Sequence, residues 1–328
     1  MYIYTQNMNS NNYLRIYLIP QMQRILVTGG SGLVGKALQQ VVASAENWTF
    51  LSSADGDLRS LRETQQIFEH YKPTHVIHLA AIVGGLFHNM AAGADFFDGN
   101  MRMALNVYKC AHATGVQKLV SCLSTCIFPD EICRSETPID ETMVHAGPPH
   151  PSNEGYAYAK RMLDVLNKTY ARQHGRQYTS VVPTNIYGPH DNFHLEHAHV
   201  IPALIHKASI SPKLVVAGTG TPLRQFIYSE DLAKLLVWTL EHYDSIEPLI
   251  LSVPPESEVP IGDVAQLIAN EFGIEIEYDS SKADGQFKKT ANNDKLMTLM
   301  PHFEFTPIEA GIAKTVQWFK ENKATCRK

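Results

Sequence analysis

The feature that most narrows what this chain can fold into is a strand, a glycine-rich turn and a helix in direct succession. Arg24-Ile25-Leu26-Val27-Thr28 is a short apolar run suited to a buried central strand. It passes into Gly29-Gly30-Ser31-Gly32-Leu33-Val34-Gly35 and then into the helical Lys36-Ala37-Leu38-Gln39-Gln40-Val41-Val42. Glycines permit the tight turn and let backbone N–H groups and a helix N-terminus come up to a pyrophosphate. In this context Gly29, Gly32, Leu33, Val34 and Gly35 are predicted to cradle a dinucleotide.

The segments that follow keep alternating. Trp48-Thr49-Phe50-Leu51 reads as a second strand, residues 61–71 as a helix, and His75 to Ala81 as a third strand. Val83 to Leu86 is expected to be a loop at that strand's carboxyl edge, with a helix from Asn100 to about Thr114 and a strand over Lys118 to Cys122. Such alternation predicts a Rossmann-type, doubly wound parallel sheet. Pro129 to Gly155 is dense in proline and glycine and is expected to be a long substrate-side loop. Residues 22–186 and 225–252 are assigned to the nucleotide-binding domain. Residues 187–224 and 253–328 are assigned to a smaller, largely C-terminal substrate-binding lobe.

Three side chains point to proton delivery at a carbonyl. Tyr156 and Lys160 are four apart and share a face of a helix expected from Tyr156 to about His174. A lysine ammonium stabilises a phenolate, so the pair can trade a proton near neutral pH. Ser124, at the end of an apolar strand, can hydrogen-bond the same oxygen. Cys126 lies two positions further on and in an extended backbone would point to the same side. His199 follows a glycine- and proline-containing loop. A thiol and an imidazole facing each other across a ketone can exchange protons at its flanking carbons, which the carbonyl acidifies. At the second strand's end Ser52 and Ser53 stand where NAD enzymes commonly place an acid for the ribose 2′-hydroxyl. Small hydroxyls leave room for a 2′-phosphate, which favours NADP(H), although no arginine adjoins them.

The Gly29–Gly35 spacing resembles short-chain dehydrogenases, and Asp57-Leu58 resembles the adenine-side pair of their extended group. From about Met22 onward the chain resembles the GDP-L-fucose synthase family, the GDP-4-keto-6-deoxy-mannose 3,5-epimerase-4-reductases. The resemblance is carried, in order, by Gly-Gly-Ser-Gly-Leu-Val-Gly, Ser-Thr-Cys-Ile-Phe-Pro, Tyr-x-x-x-Lys, Pro-Thr-Asn-Ile-Tyr-Gly-Pro-His-Asp-Asn-Phe and His-Val-Ile-Pro. It implies that Cys126 and His199 act as the base and acid that invert C3 and C5. Tyr156 would protonate the C4 oxygen as NADPH delivers hydride, with Lys160 on the nicotinamide ribose. It also implies that Pro183, Asn185, Ile186 and His199 touch the cofactor, and that Lys207, Arg224 and Asp284 contact the GDP-sugar. The corresponding helix in the family packs against a second subunit, which implies a homodimer through the Tyr156–Lys160 helix. One departure is Ala217 before Gly218-Thr219-Gly220, where some relatives carry a stacking tryptophan.

Three rival readings make different demands. A 4,6-dehydratase follows its Ser/Thr with an Asp-Glu pair, whereas Cys126 and Ile127 follow Thr125. A 4-epimerase of the same fold would leave Cys126 and His199 idle. A non-catalytic NADP-binding sensor usually loses Tyr or Lys of the pair, and both are kept.

Composition bounds the rest. At 328 residues, 44% hydrophobic and 19% charged, the chain suits a soluble enzyme of two lobes. A net charge of −5 argues against nucleic acid as a partner. The five cysteines are odd in number and lack Cys-x-x-Cys spacing, which suggests free thiols in a reducing compartment. Residues 1–21 are rich in Asn, Gln and Tyr, and their apolar run is short and broken by Arg15. They are expected to be a disordered extension, neither a membrane span nor a secretion signal, which points to the cytoplasm. His194, His197 and His199 lack an obvious fourth ligand, so no metal is expected.

Overall fold

The computed structural model describes residues 22–328, apart from Ala43, Glu196, Ala283 and Gly285 and the side chains of Leu86, Phe87 and His88. The extension expected over residues 1–21 lies outside the described residues. Strand β1 (Ile25–Thr28) turns through the glycines into α1 (Leu33–Val41), followed by β2 (Trp48–Phe50), α2 (Leu61–Tyr71) and β3 (His75–His78). Next come α3 (Leu86–Ala91), α4 (Gly93–Ala113), β4 (Lys118–Cys122) and the single-turn α5 (Asp130–Cys133). Helix α6 (Glu154–His174) then leads to β5 (Gln177–Pro183) and β6 (Asn185–Tyr187). The chain continues through α7 (Val200–Ala208), β7 (Lys213–Ala217) and β8 (Leu223–Arg224). It returns by β9 (Phe226–Tyr228) and α8 (Ser229–His242) to β10 (Leu249–Leu251). The last elements are β11 (Val259–Pro260), α9 (Ile261–Phe272), β12 (Glu275–Asp279), α10 (Asp294–Leu299) and α11 (Ile308–Asn322).

Six strands form the central sheet in the order β10-β5-β4-β3-β1-β2, and each neighbouring pair is parallel. Side chains alternate across it, because a strand's period is two. Leu26, Val76, Leu119 and Val182 face α2, α4 and α6, whereas Ile25, Ile77, Val120 and Val181 face α1 and α8. Both faces are therefore buried, as the unbroken apolar strands demand. Burying each such side chain contributes about 1.5–3 kcal/mol before chain entropy is counted. A third core joins α7, α9 and α11 beside the two-stranded β12–β7 pair. The strand order reverses between β1 and β3, the place where open α/β sheets bind ligands.

The glycine turn sits at that reversal because nothing larger fits. A Cβ on Gly35 would lie 2.6 Å from the Gly29 carbonyl oxygen, and Gly29 itself has φ +71° with its missing Cβ 2.8 Å from the Ala80 nitrogen. Two expectations change. Helix α4 begins at Gly93 rather than Asn100, and Asn100 is buried inside it. The Asn100 amide accepts from the Ile82 N–H at 2.9 Å and donates to the Ile82 and Phe96 carbonyls at 3.0 and 2.7 Å, so it ties the helix to the loop after β3. The segment before α6 is not plain loop. It contains α5 and single turns of 3₁₀ helix at Glu141–His145 and Pro151–Asn153, and α6 starts two residues ahead of Tyr156.

Candidate active site

A cavity of about 640 Å³ opens over the carboxyl ends of the strands. Gly29, Gly32, Leu33, Val34 and Gly35 form one wall, with the N-terminus of α1 facing inward. Ser52, Ser53, Asp57 and Leu58 line the end beyond β2. Ser124, Tyr156 and Lys160 line the opposite end with Pro183, Asn185, Ile186 and His199. The glycine cradle, the free N–H groups of a helix start and the volume all suit a dinucleotide. Two charged residues that the sequence reading passed over stand beside the serines. The Asp55 carboxylate accepts from the Ser52 N–H and hydroxyl at 2.7 and 2.9 Å, and Arg59 lines the cavity while paired to Asp57 at 2.8 Å.

The proton-transfer end is deeply buried. Burial pushes the Tyr156 phenol well above its usual range, with Cys126 and Cys122 adding to the effect, so at neutral pH it holds its proton. Lys160 is buried and donates to the Cys122 carbonyl at 2.7 Å, its Nζ lying 5.9 Å from the centre of the Tyr156 ring. Burial lowers the lysine, while the neighbouring thiols oppose the shift. Behind it, the Ala80 N–H donates to the Thr28 hydroxyl at 3.1 Å. That hydroxyl meets His78 Nδ1 at 2.8 Å, and burial together with Lys160 pushes His78 down to about 3. The His78 ring is therefore neutral and adds no second positive charge beside Lys160.

Cys126 is not where an extended backbone would put it. Ser124 caps a single 3₁₀ turn, Thr125–Ile127, and its Oγ accepts from the Cys126 N–H at 3.4 Å. Cys126 is therefore buried behind Ser124, and the cavity wall includes Ser124 and Thr125 but not Cys126. Burial raises its thiol, and Lys289 is the largest influence pulling it back. The turn is clamped by Arg161, another residue the sequence reading missed. Buried on α6, Arg161 donates from Nε to the Ile127 carbonyl at 2.9 Å, from Nη2 to the same oxygen, and from Nη1 to Gly147 O at 2.8 Å.

Lys207, Arg224 and Asp284 also lie off this cavity's wall. Lys207 is half-buried in the last turn of α7. Arg224 donates to the Leu223 carbonyl at 2.6 Å; burial lowers it, and Glu258 opposes that. Lys289 is close enough to Arg224 for the two cations to repel. Both oxygens of Asp284 accept hydrogen bonds from the chain. They accept from the Thr219 N–H at 2.9 Å and hydroxyl at 2.7 Å, fastening a loop whose Gly218 and Gly220 have φ +81° and +75°. The His194 and His197 rings stack with centroids 4.5 Å apart. Among the described residues, no group of three or more His, Cys, Asp or Glu is placed to hold a metal ion.

The chain belongs to the NAD dependent epimerase/dehydratase family, whose model matches residues 25–253. It is 56% identical over 314 residues to the GDP-L-fucose synthase of Dictyostelium discoideum, covering 93% of this chain and 97% of that protein. To the probable GDP-L-fucose synthase of Drosophila melanogaster it is 51% identical over 324 residues, covering 94% and 100%. Its fold is similar to the crystal structure of a GDP-L-fucose synthetase from Naegleria fowleri bound to NADP. There the TM-score is 0.88 at 50% identity, covering 94% of this chain and 96% of that one.

Proposed function

We propose that the protein makes GDP-L-fucose from GDP-4-keto-6-deoxy-mannose, inverting C3 and C5 and then reducing the C4 ketone with NADPH. One observation carries this reading: a single cavity runs from the glycine cradle and Ser52 to Ser124, Tyr156, Lys160 and His199. The relatives' names supply the product, GDP-L-fucose, and NADP. The first domain, residues 22–186 and 225–252, holds the cofactor. The lobe of residues 187–224 and 253–328 holds the sugar nucleotide, with Lys207 and Arg224 neutralising its diphosphate. Asp284 contacts the sugar nucleotide while also holding the Gly218–Gly220 loop through Thr219.

Tyr156 and Ser124 donate to the C4 oxygen, which makes the hydrogens on C3 and C5 acidic. Cys126, brought out from behind Ser124 once the sugar is bound, removes such a proton, and His199 returns one from the other face. When bound, the reduced nicotinamide supplies the hydride that C4 accepts. Tyr156 gives its proton to the same oxygen, and Lys160 stabilises the phenolate left behind.

Mixing the protein with NADPH and GDP-4-keto-6-deoxy-mannose in D2O should bleach the NADPH absorbance and leave deuterium at C3 and C5 of the product. Turnover of a GDP-sugar without NADPH consumption would instead mark an epimerase or dehydratase, and NADPH binding without turnover would mark a sensor. We also read the protein as a cytoplasmic homodimer. Phe97 and Leu105 on α4 and Val165 on the adjoining α6 stay exposed, all five cysteines are free, and among the described residues no helix is long and apolar enough to cross a membrane. Light scattering on the protein from the soluble cell fraction should return twice the mass of one chain; a monomer at micromolar concentration contradicts the dimer.

A further inference from the structure

The Thr125–Ile127 turn that carries Cys126 is held at both ends, and unequally. At its start the Ser124 hydroxyl accepts from the Cys126 N–H at 3.4 Å, longer than an ordinary bond of this kind. At its close the Ile127 carbonyl takes two donors from one guanidinium, Arg161 Nε at 2.9 Å and Arg161 Nη2. Bonds from an ionised donor are roughly twice as strong as neutral ones, so the Ile127 end is the firm one. The third arm, Nη1, donates to the Gly147 carbonyl at 2.8 Å and ties the segment before α6 to the same anchor. Arg161 is only 4% exposed, lies off the cavity wall and has no carboxylate partner among the described residues. An apolar side chain of similar shape would fill that space without the penalty of burying a cation. What it could not do is hold two carbonyls in fixed directions. Arg161 also follows Lys160 directly on α6, the helix that carries Tyr156, and its Cζ lies 5.2 Å from the centre of the Tyr158 ring. One rigid element therefore sets both the proton donor for C4 and the seat of the turn that bears the thiol.

We propose that Arg161 is the positioning residue for Cys126. Its guanidinium fixes Ile127 as the pivot of the turn. When the long bond to Ser124 lets go, the thiol comes forward about that pivot and meets the sugar at one defined point. Without the anchor the whole turn shifts, and misplacing a reacting group by about 1 Å costs about 10²-fold in rate. The inference rests on the epimerase reading above, in which Cys126 is the base. Arg161 itself touches neither the sugar nor the nicotinamide.

The test compares Arg161→Met and Arg161→Lys with the wild type, each mixed with NADPH and GDP-4-keto-6-deoxy-mannose in D2O. Arg161→Met should lower kcat for deuterium incorporation at C3 and C5 about 10–100-fold, while KM for the sugar nucleotide and the affinity for NADPH hold. Reduction at C4 then overtakes inversion, so NMR should find reduced sugar that keeps hydrogen, and the substrate's configuration, at C3 and C5. Arg161→Lys brings a charge without the planar fork and should recover part of the lost exchange. A purely structural role predicts something else, because poor folding lowers exchange and reduction in equal proportion and leaves the product ratio alone. A wild-type ratio of inverted to uninverted product in Arg161→Met overturns the inference. Should that variant fail to fold, the same ratio in Arg161→Lys overturns it. Full exchange in Cys126→Ser would instead remove the base on which the inference stands, so the two failures are told apart.

Discussion

Tyr156→Phe is expected to lower NADPH oxidation about 10²–10⁴-fold while hydrogens at C3 and C5 still exchange with solvent. In energy this is about 3–5 kcal/mol of lost transition-state stabilisation. The substitution removes one oxygen and little else. The ring stays in edge-on contact with Phe96 at 6.3 Å between centroids, so helix α6 keeps its seat. Exchange continues because Ser124 still donates to the C4 oxygen and both proton-transfer groups remain. Reduction slows, because the alkoxide forming at C4 loses the phenol placed to protonate it. Stopped-flow absorbance and product NMR read the two steps separately. Loss of exchange and reduction together would mean that one residue serves both.

Cys126→Ser is expected to produce the converse, with deuterium incorporation lost by a factor of about 10²–10⁴ and NADPH binding unchanged. NADPH binding is preserved because Cys126 lies away from the glycine cradle and the Ser52 end that receive the cofactor. Exchange is lost because a serine hydroxyl is a far weaker acid than a thiol and yields no useful base. The sign of the pH dependence follows from burial, which raises the thiol. The thiolate is the minor form at neutral pH, so wild-type exchange should climb with pH until the thiol has ionised. Full exchange in the serine variant would take the cysteine out of the chemistry.

How much of this could be read from residues alone depended on how local each signal was. The glycine cradle and the Tyr156–Lys160 pair are spacings within a single turn or helix, and they lie where their spacing predicts. Cys126 was misjudged locally. Residue alternation assumes a strand, whereas Ser124 caps a turn and swings the thiol inward. The start of α4 was hidden by Gly93 and Gly99, which look like helix breakers until Asn100 is seen bonding the Ile82 backbone. Arg161 carried no local signal, because what it does depends on carbonyl partners far along the chain.

The imidazole and the phenol rest on different foundations. His199 begins a helix whose Ile201, Leu204 and Ile205 are anchored among α9 and α11. Tyr156 instead leans on the sheet side, with Val107, Tyr108 and Leu163. One ketone must therefore bridge two separately packed bodies before either inversion can occur, and the sugar nucleotide becomes the clasp that aligns them.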